Sequence, residues 1–77
     1  MRPGDIIEID RTHLPVARKL RPTMRRFGAR VESVSTDDGW QYVLATVGKT
    51  TSRVLVAVPA PGDNYFSGRG PKVRKIR

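Results

Sequence analysis

The chain is constrained most by the stretch from Ala29 to Pro59, in which three apolar-rich runs of strand length are separated by two short turn sequences. The runs are residues 29–35, 40–47 and 52–58. They are rich in β-branched and aromatic residues, as half-buried strands are. Asp37-Asp38-Gly39 suits a short hairpin with glycine at a positive φ, and Gly48-Lys49 suits a two-residue turn. The stretch therefore predicts a β-meander, whose middle run is apolar on both faces and is expected to be central.

Two further patterns add to this sheet. Residues 4–10 open with a turn sequence and then alternate isoleucines with acids, which predicts a first strand with one buried and one solvated face. Val31 and Val34 are three residues apart rather than two, so we expect a bulge or bend in the second strand.

The segment from Thr12 to Gly28 has two interpretations. Apolar residues recur in it at helical spacing, but Pro22 opposes a single helix at a cost of roughly 3 kcal/mol. One interpretation is two short helical turns, capped by Thr12 and Thr23 and ended by Gly28. The other is a long irregular loop that folds over the mouth of a barrel. The apolar residues that would contact the sheet in either case are Leu14, Ala17, Leu20, Met24 and Phe27.

The C-terminal part of the chain is rich in turn-forming and basic residues. Residues 59–64 predict a turn or loop, and residues 67–71 predict a flexible basic hinge. Residues 72–77 either pair as a short last strand through Val73 or stay loose, as chain ends often do. We therefore expect residues 1–66 to form a single small β domain, and residues 67–77 to form a basic C-terminal arm.

Taken together, the order of a strand, a long connection, a three-strand meander, a turn and a last short strand resembles that of SH3-like small barrels, including those of the KOW type. The resemblance is one of layout and assigns no residue a role. The expected fold class is mainly β. It is either an SH3-like or KOW-like barrel or a strongly bent antiparallel sheet of four to five strands, with a short helical or irregular basic segment between strands 1 and 2.

Positive charge is segregated along the chain. The net charge is +8, from 15 basic and 7 acidic residues. Residues 11–30 contain no acid, and residues 59–77 contain only Asp63. Because a surface of one sign is costly through self-repulsion, such segregation is typical of proteins that bind polyanions. The predicted nucleic-acid-binding residues are Arg18, Lys19, Arg21, Arg25, Arg26, Arg30, Arg69, Lys72, Arg74, Lys75 and Arg77.

Aromatic residues can stack on unpaired bases and so add to phosphate contacts. Tyr65 and Phe66 lie next to the basic C-terminal segment, and they are the predicted stacking residues. Trp40 is the only tryptophan, and we expect it to lie in the core or to cap its edge.

Other function classes find little support. The chain has no cysteine and only His13 as an imidazole, so we predict no enzyme activity, no metal site and no cofactor. The longest apolar run, residues 54–58, is far shorter than the roughly 18 residues of a membrane span. We expect no membrane association and a location in the cytoplasm or nucleoid.

The leading functional hypothesis is therefore a small protein that contacts DNA or RNA mainly through the phosphate backbone. The alternative is a protein-interaction module, such as a regulatory or assembly factor, that docks on an acidic partner protein. Its hydrophobic anchors would be Leu14, Leu20, Met24 and Phe27.

Overall fold

The computed structural model describes residues 1–10, 25–49, 51–67 and 70–77, and it contains one antiparallel sheet of six strands. The strands are β1 (Ile6–Asp10), β2 (Arg26–Asp37), β3 (Trp40–Val47), β4 (Arg53–Pro59), β5 (Tyr65–Ser67) and β6 (Gly70–Lys75). Their order across the sheet is β4-β3-β2-β1-β6-β5. The prediction of a mainly β fold is confirmed, and β3 is an interior strand of the meander as expected.

The β2–β3 hairpin follows the predicted local rules. Asp38 and Gly39 form its two-residue turn and both have positive φ, at 50° and 81°. This is the backbone that a type I′ turn requires. The register of β2 against β3 shifts between Val31 and Ser33, which confirms the predicted bulge.

The β3–β4 connection is longer than predicted. Gly48 has a positive φ of 52°, but Gly48-Lys49 is not a complete turn, because β4 begins only at Arg53. The Val47 amide donates a hydrogen bond of 2.8 Å to the Ser52 carbonyl and closes the loop. The apolar pattern could not predict the length of this loop. Residues 48–52 have no apolar side chain that would mark where strand pairing resumes.

The C-terminal residues contribute two strands, so the sheet has six strands where four or five were predicted. Gly70–Lys75 forms β6, which lies between β1 and β5 and pairs with both. Its Val73 is fully buried. Of the two alternatives for the last basic run, pairing through Val73 is the one observed.

The core lies on one face of the sheet and draws on every strand except β5. Ile7 and Ile9 of β1 are fully buried, and Phe27 of β2 is 4% exposed. Alternation along β1 fails at one position, because Asp10, predicted on the solvated face, is 3% exposed. The other buried hydrophobic residues are Ala29, Val31, Val43, Ala45, Val54, Val56, Val58 and Val73.

The sheet is bent and open. β3 and β5 are four positions apart in the strand order, which would separate them by about 19 Å in a flat sheet. Yet the rings of Trp40 on β3 and Tyr65 on β5 meet edge to face, with their centroids 6.0 Å apart. The edge strands β4 and β5 do not pair with each other in the described part of the chain, so the sheet curls without forming a closed barrel.

Gln41 ties this curled sheet together at the same end. It is 6% exposed, its Oε1 accepts a hydrogen bond of 3.0 Å from the Met1 amino group, and its Nε2 donates to the Gly62 carbonyl. The same amino group lies 2.9 Å from Asp63 Oδ1. The hydrogen bond from this amino group is the main cause that lowers the pKa of Asp63 below its usual value.

Replacing Gln41 with leucine is expected to lower the free energy of unfolding by about 1–3 kcal/mol, because the Met1 amino group loses an acceptor and the Gly62 carbonyl loses a donor while the side-chain volume stays similar. Urea unfolding followed by circular dichroism measures this. Thr36→Val is the control, since Thr36 pairs with Gln41 across the sheet but is exposed, and it should change stability by less than about 0.5 kcal/mol. Equal midpoints for the two variants would contradict the expectation.

Residues 26–28 belong to β2, so the prediction that Gly28 ends a helical turn is wrong, because these residues pair with β1. The rest of both interpretations concerns residues 11–24, which lie outside the described residues. Within the described ranges, no helix reaches the length and apolar character that a membrane crossing requires.

Candidate functional site

The pairing of charges separates the basic residues into two groups. All seven acidic residues lie in the described part of the chain, so every carboxylate that could pair with a cation is visible. Four strand-borne or strand-flanking acids hold basic side chains within ion-pair distance. The pairs are Arg25–Asp10 at 3.4 Å, Arg26–Asp10 at 3.9 Å, Arg53–Glu32 at 3.1 Å, Arg74–Glu8 at 3.2 Å and Lys75–Asp5 at 3.7 Å.

Arg30, Lys49 and Arg77 belong to the second group, as does Arg2, which lies outside the groove that the other three share. None of them has a carboxylate within 4.0 Å in the described residues, and the remaining residues include no Asp or Glu. Arg30, Lys49 and Arg77 line one open groove of about 550 Å³, together with Ile6 and Gly28. We call this the basic groove. Cations that carry no internal partner are the ones that can bind an external anion without first giving up an ion pair.

Backbone hydrogen bonds hold the walls of the basic groove. The Gly48 amide donates to the Gly28 carbonyl at 3.0 Å, which fixes the start of the β3–β4 loop, and with it Lys49, against β2. On the opposite wall the Ile6 amide donates to the Arg77 carbonyl at 2.7 Å. Arg30 belongs to β2 itself. The three cations are therefore positioned by three different segments that meet on the sheet surface.

Gly28 lines the basic groove without contributing a side chain. It pairs with Glu8 of β1 and occupies an exposed position of β2. A Cβ atom placed there would meet only the Ile7 carbonyl oxygen among the described residues, at 3.9 Å, which is ordinary contact. A residue with a Cβ therefore fits this position, and the glycine leaves this part of the groove lining without a side chain.

A second depression adjoins the basic groove. It has a volume of about 450 Å³ and shares Arg30 and Gly48 with the basic groove, while Pro3, Glu32 and Thr46 contribute to its remaining wall. Glu32 is held by Arg53, so its charge is partly neutralised. Arg30 therefore lines both the basic groove and the second depression, and it can contact a ligand in either.

The chemistry of the basic groove suits phosphate. Arginine presents a planar fork that donates two parallel hydrogen bonds to phosphate oxygens, and lysine adds a flexible point charge. The described residues contain no group of three or more His, Asp or Glu side chains placed to hold a metal ion.

The predicted nucleic-acid-binding residues are distributed unevenly around this site. Arg30 and Arg77 line the basic groove. Arg25 and Arg26 lie at the start of β2 beside buried Asp10, whereas Arg74 and Lys75 lie on β6 in ion pairs. Lys72 is half-buried on β6. Four predicted residues lie outside the described part of the chain: Arg18, Lys19, Arg21 and Arg69.

The predicted stacking residues differ in exposure. Phe66 is 63% exposed on β5, whereas Tyr65 is half-buried, packs against the core and contacts Trp40. Trp40 and Tyr42 are 37% and 38% exposed, so Trp40 caps the end of the curled sheet with part of its ring in solvent.

The sequence did not predict that Lys49 lines the groove, and it did not predict that Tyr42 is exposed. Lys49 stood alone in a turn, outside the two basic segments, and no local pattern links it to residues 30 and 77. The exposure of Tyr42 was hidden because both faces of its strand are apolar.

Comparison with known proteins adds no relative: no family model matches the chain, and no curated protein or solved structure is significantly similar to it.

Proposed function

We propose that this protein binds nucleic acid through the phosphate backbone, with the basic groove as the main contact site. The observation that carries the proposal is the convergence of Arg30, Lys49 and Arg77 on one groove, with no acidic partner among the described residues. Phosphate contacts of this kind position a nucleic acid without reading its sequence. The expected binding is therefore of weak sequence preference.

The distribution of acids supports the same proposal. Asp37 and Asp38, which have no ion pair in the described residues, lie at the β2–β3 turn, at the opposite end of β3 from Gly48. β3 spans 8 residues, which is roughly 26 Å along an extended strand. The negative charge of Asp37 and Asp38 is thus held away from the basic groove. Arg11, Arg18, Lys19 and Arg21 add four positive charges to the connection between β1 and β2.

For the fold we propose, beyond a bent antiparallel sheet, an SH3-like or KOW-like barrel. The curl of the sheet and the contact between Trp40 and Tyr65 support it. With this function we propose a location in the cytoplasm or nucleoid, where nucleic acid is accessible.

The alternative of a module that docks on an acidic partner protein has less support. Phe27, one of its four anchors, is 4% exposed in the core and cannot contact a partner without leaving it. Leu14, Leu20 and Met24 lie outside the described residues.

The test is a salt series of binding affinities for duplex DNA, single-stranded DNA and RNA, with heparin as competitor. Neutralising three phosphates predicts that the logarithm of the affinity for duplex DNA falls with the logarithm of salt concentration at a slope of about −2.7 or steeper. Binding to at least one of the nucleic acids is expected to persist in the presence of heparin. Equal and weak binding to every polyanion, lost near physiological salt, would overturn the proposal.

A further inference from the structure

An apolar patch occupies the solvent-facing side of β3 and β4. Trp40, Tyr42 and Leu44 alternate along β3 with the buried residues of the core and so face away from it. Leu55 of β4 pairs with Leu44 and is 62% exposed. We call these four residues the outer patch. The two aromatic rings and Leu55 are large apolar side chains that the fold itself leaves partly in water.

The outer patch is continuous with the basic groove. Thr46, the next residue of β3 on the same face, pairs with Arg30, whose side chain lines the groove. Tyr42 lies four residues before Thr46, which is about 13 Å along the strand. An elongated ligand can therefore contact the cations and the aromatic rings together, and Arg30 supplies positive charge at the groove end of the apolar surface.

We propose that the outer patch holds unpaired bases of a single-stranded nucleic acid whose phosphates lie in the basic groove; this inference rests on the proposed function. Exposed aromatic rings on a sheet stack with bases of any sequence. In a duplex the base faces are already stacked, so only a single strand can use the patch. Positive charge lies at the groove end and Asp37 at the Trp40 end, which orients phosphates toward the groove and bases toward the rings.

The test combines a substitution with an internal probe. Tyr42→Ala is expected to weaken single-stranded DNA binding by about tenfold and to change duplex binding by less than about twofold. Trp40 is the only tryptophan, so its fluorescence reports on the outer patch in the unmodified protein. Single-stranded DNA at saturation is expected to quench this emission, whereas duplex DNA leaves it nearly unchanged. Phe66→Ala removes the exposed ring on β5 that the sequence predicted as a stacking residue, so it compares that prediction with the outer patch. If the outer patch holds the bases, this variant should bind as the unmodified protein does.

The outcomes are separable. Equal weakening of both DNA forms by Tyr42→Ala, a comparable loss in Phe66→Ala, or unquenched Trp40 at saturation would each overturn the base-stacking site. Circular dichroism of both variants ensures that binding is compared between folded proteins. Failure of the unmodified protein to bind any nucleic acid in the salt series would instead overturn the proposed function.

Discussion

Replacing Arg30, Lys49 and Arg77 together with glutamine is expected to weaken binding to duplex DNA by about 100-fold at low salt. Each side chain is expected to contribute about 1 kcal/mol through an exposed, charge-assisted contact with phosphate, and three such contacts amount to about two powers of ten. The slope of affinity against salt should also become shallower by about 2.7, because three fewer counterions are released. Titration of a labelled duplex at several salt concentrations measures both effects.

The matched control removes the same charge from a different place. Replacing Arg53, Arg74 and Lys75 with glutamine also lowers the net charge from +8 to +5, but these three side chains lie within ion-pair distance of acids. Their loss should weaken binding by less than about tenfold, through the long-range field alone. Equal losses in the two triple variants would mean that total charge, and not the basic groove, determines affinity.

Gly28→Val tests the groove without changing any charge. Valine suits a strand, and its Cβ has room beside the Ile7 carbonyl, so the variant should fold. Its side chain would be added to the lining of the groove that holds the three cations, and it is expected to weaken binding by about tenfold through lost phosphate access. Normal binding by Gly28→Val would indicate that the cations act at a distance and that no ligand enters the groove.

The meander could be predicted because its determinants are local. The alternation of apolar residues, the glycine of the Asp38-Gly39 turn and the three-residue spacing of Val31 and Val34 each act within a few positions of the chain. Rules of period and turn chemistry cover such features. These rules predicted the β1 strand, the bulge in β2 and the interior position of β3.

The rest of the fold depends on partners far away in the chain. β6 is stabilised by pairing with β1, more than 60 residues earlier, as in the contact between Arg74 and Glu8. Its own sequence is basic and begins with Gly70-Pro71, which by local rules resembles a hinge. β5 has only three residues. No local pattern distinguishes such strands from a flexible tail.

The candidate site was predictable only in part, for a related reason. Sequence shows where cations are, but not which of them an acid neutralises in the folded chain. Arg25 and Arg30 look alike in the basic segment, yet Arg25 lies beside buried Asp10, while Arg30 has no acid within ion-pair distance in the described part of the chain. Lys49 joins the groove only because the Gly48 amide binds the Gly28 carbonyl of β2. The groove is thus a product of tertiary pairing.

Substituting Val73 with aspartate is expected to unfold the protein, or to lower its free energy of unfolding by more than about 4 kcal/mol. Val73 is fully buried and pairs with Ile9 and Tyr65 on its two sides. A carboxylate at this position would be desolvated among hydrophobic residues. A 77-residue domain has too little stability to absorb that loss. Far-UV circular dichroism and urea unfolding measure the effect.

Ile76→Asp is the control for this experiment. It also replaces an apolar residue with aspartate, three residues later, but Ile76 is 46% exposed. It should remain folded, with a midpoint close to that of the unmodified protein. A folded Val73→Asp variant would contradict the position of β6 in the core and would make the C-terminal residues a dispensable arm. If Val73→Asp unfolds, truncation before Gly70 will also remove a partner of β1 and the partner of β5. The contribution of the C-terminal basic residues to binding then has to be measured by point substitution rather than by deletion.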